Sequence, residues 1–160
     1  MTTFSLNLAK QIEAAKEQAE AVARLTMLHL FNLVVEKSPV AYPPSWKSVI
    51  EWEARKAAGK TKAKSPADGY VGGRFRANWN PSISLPDMTT TEEVDPSGSK
   101  TKSRIDAVVG GYKLSETSVF LTNNLDYAQA LEEGHSGQAP VGMVRLSVIE
   151  VQNDFSINVR

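Results

Sequence analysis

Residues 121–145, LTNNLDYAQALEEGHSGQAPVGMVR, pass in 25 positions from a strand end through an Asn-Asn turn, a short helical piece, a Gly-His-Ser-Gly loop and a Pro-started helix. Upstream, TSVFLTN alternates Val119 and Leu121 with Phe120 and Thr122, a strand pattern. Downstream, Val144, Val148 and Val151 share one helical face, and Pro140 stands just before the first turn, where its missing N–H costs nothing. The tail NDFSINVR alternates, as an edge strand or a fraying end would.

Working outward to the N-terminus, residues 4–38 read as one long helix. Leu8, Ile12, Ala15, Ala19, Val22 and Leu25 recur at three- and four-residue steps, with Lys10, Glu13, Lys16, Glu17, Glu20 and Arg24 on the other face. Thr3 suits its N-cap and Ser38-Pro39 its stop. Such a helix is about 50 Å long, more than one domain of this size needs, so it protrudes or packs on neighbours. Its second half, LTMLHLFNLVV, is apolar nearly all round and is expected to be buried on several sides, with His29 a core or interface histidine bonded to backbone.

Between these ends, PVAYPPS (39–45) is a stiff connection with three prolines. A helix over Trp46–Ala58 follows, capped by Ser45 and ended by Gly59, with Trp46, Val49, Ile50 and Glu53 on one face. Residues 59–71 read as a mobile basic loop. GGRFRANWN (72–80) suggests a short helix with Phe75 and Trp79 on one face and Arg74 opposite, ended by Pro81, before a strand over SISL bounded by Pro86. Residues 87–103 hold Thr, Ser, Asp, Gly and Lys with almost no apolar anchor and read as a long exposed loop. For Arg104–Gly110, helical turn and strand both remain open. The fold class is therefore α+β, a long N-terminal helix and a C-terminal helix packed on a small, mostly antiparallel sheet, as one domain over 1–160.

The 160 residues carry no net charge, but its placement is uneven. Residues 47–76 hold eight basic and three acidic side chains, residues 105–160 three basic and seven acidic. A basic middle and an acidic end suit head-to-tail contact between copies, or are two solvated faces of a monomer. Cysteine is absent, excluding disulfides, thiolate metal sites and cysteine nucleophiles, which fits a reducing cytoplasm. No basic leader with an apolar core and no apolar run of ~18 residues is present, so no membrane role is expected.

Enzyme chemistry finds little to work with. His135 follows Glu132-Glu133 and precedes Ser136, yet loop neighbours make a poor nucleophile–base relay, and no G-x-S-x-G elbow precedes Ser136. The second histidine is a hundred residues away, too far in sequence for a local metal motif. Gly59-Lys60-Thr61 is no phosphate loop, because position 54 is Ala and the preceding segment is helical. No catalytic residue, cofactor or metal is expected. Lys60, Lys62 and Lys64, in the basic 55–64 stretch, could meet nucleic-acid phosphates, which gives a second reading as a small nucleic-acid-binding module.

The order of pieces resembles the neck proteins of long-tailed bacteriophages, the tail-completion, tail-terminator and head–tail joining family. The likeness rests on Gly73, Phe75, Arg76 and Asn78, then Tyr127, Ala128, Leu131, Glu132 and Gly134, then Ala139-Pro140 leading into the helix GMVRLSV. The 55–64 and 87–103 stretches are longer than the pattern requires. The resemblance implies a non-enzymatic virion protein, assembled in the host cytoplasm, that forms a ring, of six copies in the tail-terminator role. Such a ring sits between the capsid connector or head-completion protein and the tail tube, with viral DNA passing through without sequence-specific binding. In that setting Tyr127 is an anchor either for an interface or for the subunit's own core. Glu132 is expected to pair with Arg74 or Arg76 of the same or a neighbouring copy, and Gly134 and Gly137 to let the loop turn around His135.

Overall fold

In a computed structural model, which describes residues 3–116 and 118–158, the long periodic segment is a single helix, α1 (Thr3–Lys37). Thr3 is its first helical residue rather than an external cap. It ends where Ser38 precedes Pro39, and the Ser38 hydroxyl donates to the Val34 carbonyl at 2.7 Å. A 3-10 turn (Pro43–Ser45) leads to α2 (Lys47–Ala57). Ser45 does not cap α2; its hydroxyl turns back to the Tyr42 carbonyl, and Trp46 occupies the cap position. Of the face expected to be shared on α2, Val49 is buried and Ile50 exposed.

A one-turn helix, α3 (Arg74–Ala77), delivers the chain to β1 (Asn80–Ile83). The strand starts two residues before SISL and includes Pro81, tolerable because β1 has one partner strand among the described residues. That partner is β2 (Val119–Thr122), antiparallel with Asn80 opposite Thr122 and Ile83 opposite Val119. Ser84, at φ +68°, turns the chain out of the strand.

The largest departure from expectation is α4 (Ser99–Gly110), which takes in the end of the stretch read as a loop and resolves the open reading of 104–110 as helix. Thr101, Ile105 and Val109 lie four apart and are fully buried, so the first of its three anchors is a polar residue. Arg104 Nη2 donates to the Ala77 carbonyl at 2.6 Å and ties α4 to the end of α3. After β2 come α5 (Ala128–Glu132) and α6 (Val144–Asn158), so the described part of the tail is helical.

The fold is α+β: α1 packs against both α6 and α4, and α4 packs against β1 of the two-stranded antiparallel sheet. The core gathers Phe31, Val34 and Val35 of α1, Phe75 and Trp79, Ile105 and Val109, and Leu125, Ala139 and Met143. Phe75 and Trp79 meet edge to face at 5.7 Å between centroids, and Trp79 Nε1 donates to Ser38 Oγ at 2.7 Å, so the indole is buried with its polar tip satisfied. His29 is not a core residue: it is exposed, with Nε2 3.1 Å from Asp154 Oδ2 on α6.

Candidate assembly surface

The 121–145 stretch is built by side chains that bond to distant backbone. Asn123 Nδ2 donates to the Phe75 carbonyl (2.9 Å), and Asn124 Nδ2 to the Asp87 carbonyl (2.9 Å). The Asn-Asn pair, legible only as a turn, thus locks the strand end onto α3 and onto the segment after β1. Leu125 then enters the core, and Ala128 and Leu131 of α5 pack against it.

Tyr127 stands at the rim of this packing. Its ring is tilted against Phe75 at 5.9 Å between centroids, while the residue is 42% exposed. Burial raises its hydroxyl above the ordinary tyrosine value; Arg74 pulls the other way, and Tyr70 and Glu92 add to the rise. Arg74, Thr90, Asn124, Leu125, Asp126 and Tyr127 line a shallow cleft of about 240 Å³. Arg74 Nη2 bonds Glu92 Oε1 at 2.5 Å across its edge, an exposed pair that fixes geometry more than it adds stability.

Glu132 meets neither Arg74 nor Arg76. Its Oε2 accepts the N–H groups of Met143 and Val144, and its Oε1 that of Arg145, all at 2.9 Å. One carboxylate therefore satisfies three N–H groups at the start of α6, where the helix dipole also favours an anion. Pro140 does not open that helix, which starts four residues later. Gly134, at φ +91°, lets the chain double back, since a Cβ there would lie 2.4 Å from the Pro140 carbonyl oxygen; Gly137 is in open space.

Arg76 is likewise spent inside the subunit. Its Nε donates to the Ser38 carbonyl (3.0 Å), Nη2 to Glu36 (2.9 Å) and Nη1 to Pro96 (2.6 Å). A guanidinium at the C-terminal end of α1 meets orphan carbonyls and the negative end of the helix dipole. Burial lowers its pKa, and the nearby Asp95 and Glu36 oppose that shift. His135 is exposed, its Nδ1 2.9 Å from the Ala130 carbonyl, while Ser136 Oγ accepts the Gln138 N–H. His135 and Ser136 are thus each engaged with backbone rather than with each other. Gln138, given no role by sequence, clamps both the N–H and the carbonyl of Val40.

Lys60, Lys62 and Lys64 are exposed, on a segment held to α2 by Trp52 Nε1 donating to the Ala63 carbonyl at 2.9 Å. Lys56 Nζ lies 4.7 Å from the Trp52 ring centroid, and Lys64 is 3.4 Å from Asp68. Lys62 and Lys64 share an open groove with Trp52 and Lys56, so the lysines do have an aromatic beside them, one the sequence order did not reveal. Of the candidate residues, Tyr127 and Arg74 line one cleft, His135 lies in the loop after α5, the lysines form a second group on the segment after α2, and Arg76 and Glu132 hold the scaffold. No protein-family model, curated protein or solved structure matches the chain.

Proposed function

We propose that the chain is a ring-forming structural subunit of the neck of a long-tailed bacteriophage, capping the tail tube and joining it to the capsid connector while DNA passes through the lumen. The observation that carries this reading is the convergence of the two halves of the neck-protein pattern. Phe75, from the first half, packs on Tyr127 and accepts a bond from Asn123, beside the second half. Glu132 and Gly134 of the second half then position the final helix. The scaffold residues leave Tyr127 and Arg74 on the surface, where an amphipathic ring and a guanidinium suit a subunit contact. Electron microscopy of the purified chain is expected to find closed rings, and Tyr127→Ala to fold normally yet fail to join tails to heads. A chain that stays monomeric at every concentration and never joins tails overturns the proposal.

A second reading, a nucleic-acid-binding module, draws on the Trp52–Lys56 stack beside Lys62 and Lys64, since an aromatic face among lysines suits bases and phosphates. It predicts salt-sensitive duplex binding that is lost when Lys60, Lys62 and Lys64 become Ala.

A further inference from the structure

The N-terminal half of α1 is amphipathic in the wrong sense for a helix serving its own subunit. From Phe4 to Ala19 every residue is exposed. Where the helix first meets the body, its charged side does the docking: Arg24 Nε and Nη2 donate to the Tyr112 carbonyl, and Glu20 Oε1 accepts the Leu114 N–H at 3.0 Å. That bond, with Lys113 and Arg24 nearby, holds the Glu20 carboxyl below its ordinary pKa despite some desolvation. The apolar neighbours point away from the body, Val22 being 52% and Leu25 68% exposed.

The outward side chains have a definite period. Leu8, Ile12, Ala15, Ala19 and Val22 are spaced four, three, four and three apart, the 3.5-residue repeat of a coiled-coil seam rather than the 3.6 of a helix lying on a globular core. With Ile12 and Ala19 as a positions and Leu8, Ala15 and Val22 as d positions, Lys10, Glu13, Glu17, Glu20 and Arg24 all fall on the outer b and f positions. The flanking e and g positions hold Ala9, Gln11, Gln18, Ala23 and Leu25, with Lys16 the only charge beside the seam.

We infer that residues 4–22 pair, parallel and in register, with the same helix of a second copy of this chain. The seam's period is complementary to itself, and nearly uncharged flanks let two identical helices meet without like charges facing. Ala15 and Ala19 allow close approach in the middle, with Leu8, Ile12 and Val22 filling the seam around them. The helix needs such cover: helical stability in proteins comes mostly from packing an amphipathic face, and residues 4–19 are exposed throughout. The paired stretch is about 28 Å long, and one helix edge of that length falls short of the roughly 800 Å² per partner of a standard interface. The pairing is therefore concentration-dependent unless other contacts support it. This inference goes beyond the ring reading and does not require it.

The absence of native cysteine makes the test direct. Ile12→Cys in the full chain is expected to form disulfide-linked dimers on mild oxidation at least about tenfold more than Glu17→Cys on the outer face, because seam partners alone come within disulfide reach. Ile12→Asp is expected to shift sedimentation toward monomer while each subunit keeps its folded core, since Ile12 is exposed and touches none of it. Equal cross-linking at the two positions, no cross-linking at Ile12, or an Ile12→Asp chain with unaltered mass overturns the pairing. Dissociation by Ile12→Asp without Ile12→Cys cross-linking also overturns it, by placing a different surface over the seam. A chain that cross-links at Ile12 but forms no ring overturns the ring reading alone.

Discussion

Residues 59–71 and 87–98 look alike in sequence, both short of apolar anchors and holding Ser, Thr, Asp, Pro and Gly, yet they are bonded to the protein in different ways. The bonds of 59–71 are local, reaching no further than Trp52, with Trp46 against Tyr70 at 4.8 Å closing the segment on its own helix. Those of 87–98 are long-range. Asn78, fully buried, donates to the Thr91 carbonyl and accepts its N–H; Asn124 and Thr122 hold the Asp87 carbonyl; and Arg76 holds that of Pro96. Composition reports whether a segment can bury apolar surface. It is silent on whether other elements supply partners for the segment's backbone, which is the second way an irregular stretch can be ordered.

The long-range segment should be the fragile one. Gly73, at φ +103°, accepts the Asp95 N–H, and a Cβ at this position would lie 2.4 Å from Pro96 N and 2.6 Å from Asp95 C. Backbone cannot yield as a flexible side chain does, so Gly73→Ala is expected to cost about 4 kcal/mol or more, read as a collapse of the denaturant midpoint. Next in size is Asp95, which is 4% exposed and whose Oδ2 accepts both the N–H and the hydroxyl of Thr101, capping α4 from outside the helix. Burial works against this carboxylate, but Thr101, Ser97 and Gly98 more than offset it, and its pKa lies below the usual 3.8. A depressed folded-state pKa stabilises above the unfolded value and loses that contribution as pH falls through the folded one. Asp95→Asn should therefore cost about 2 kcal/mol at neutral pH, with the gap to wild type closing as the pH is taken below that carboxylate range.

The same contrast explains what could be read from the chain and what could not. Residues 3–37 were legible as helix because their periodicity is carried by many side chains at once. Helix α4 was not, because its buried face is Thr101, Ile105 and Val109, only two of them apolar, and its capping carboxylate stands before the αL Gly98 rather than at the cap position. Glu132 misled for a related reason. An acid beside another acid and a histidine invites an ion pair or a proton transfer, whereas its partners are main-chain N–H groups eleven to thirteen residues on. Backbone donors carry no mark in a sequence. Tyr127 and Arg74 were found as surface candidates because their side-chain chemistry suits a contact whatever the backbone does.

The smallest effect sharpens the comparison from the other side. Trp52 Nε1 holds the Ala63 carbonyl in an exposed setting, where one neutral hydrogen bond contributes about 0.5–1 kcal/mol. Trp52→Phe keeps an aromatic ring beside Lys56 and removes only that donor, so the global unfolding midpoint is expected to stay put. The lysines themselves supply a local readout, since trypsin cuts after Lys60, Lys62 and Lys64. When opening is fast relative to cleavage, nicking follows the open population, and the loss of that bond should raise it about two- to fivefold. Cleavage after Lys100 and Lys102, inside α4, should be unchanged in the same digest. If Trp52→Phe lowers the global midpoint as Asp95→Asn does, the basic segment is coupled to the core after all, and the distinction between locally and distantly bonded loops fails.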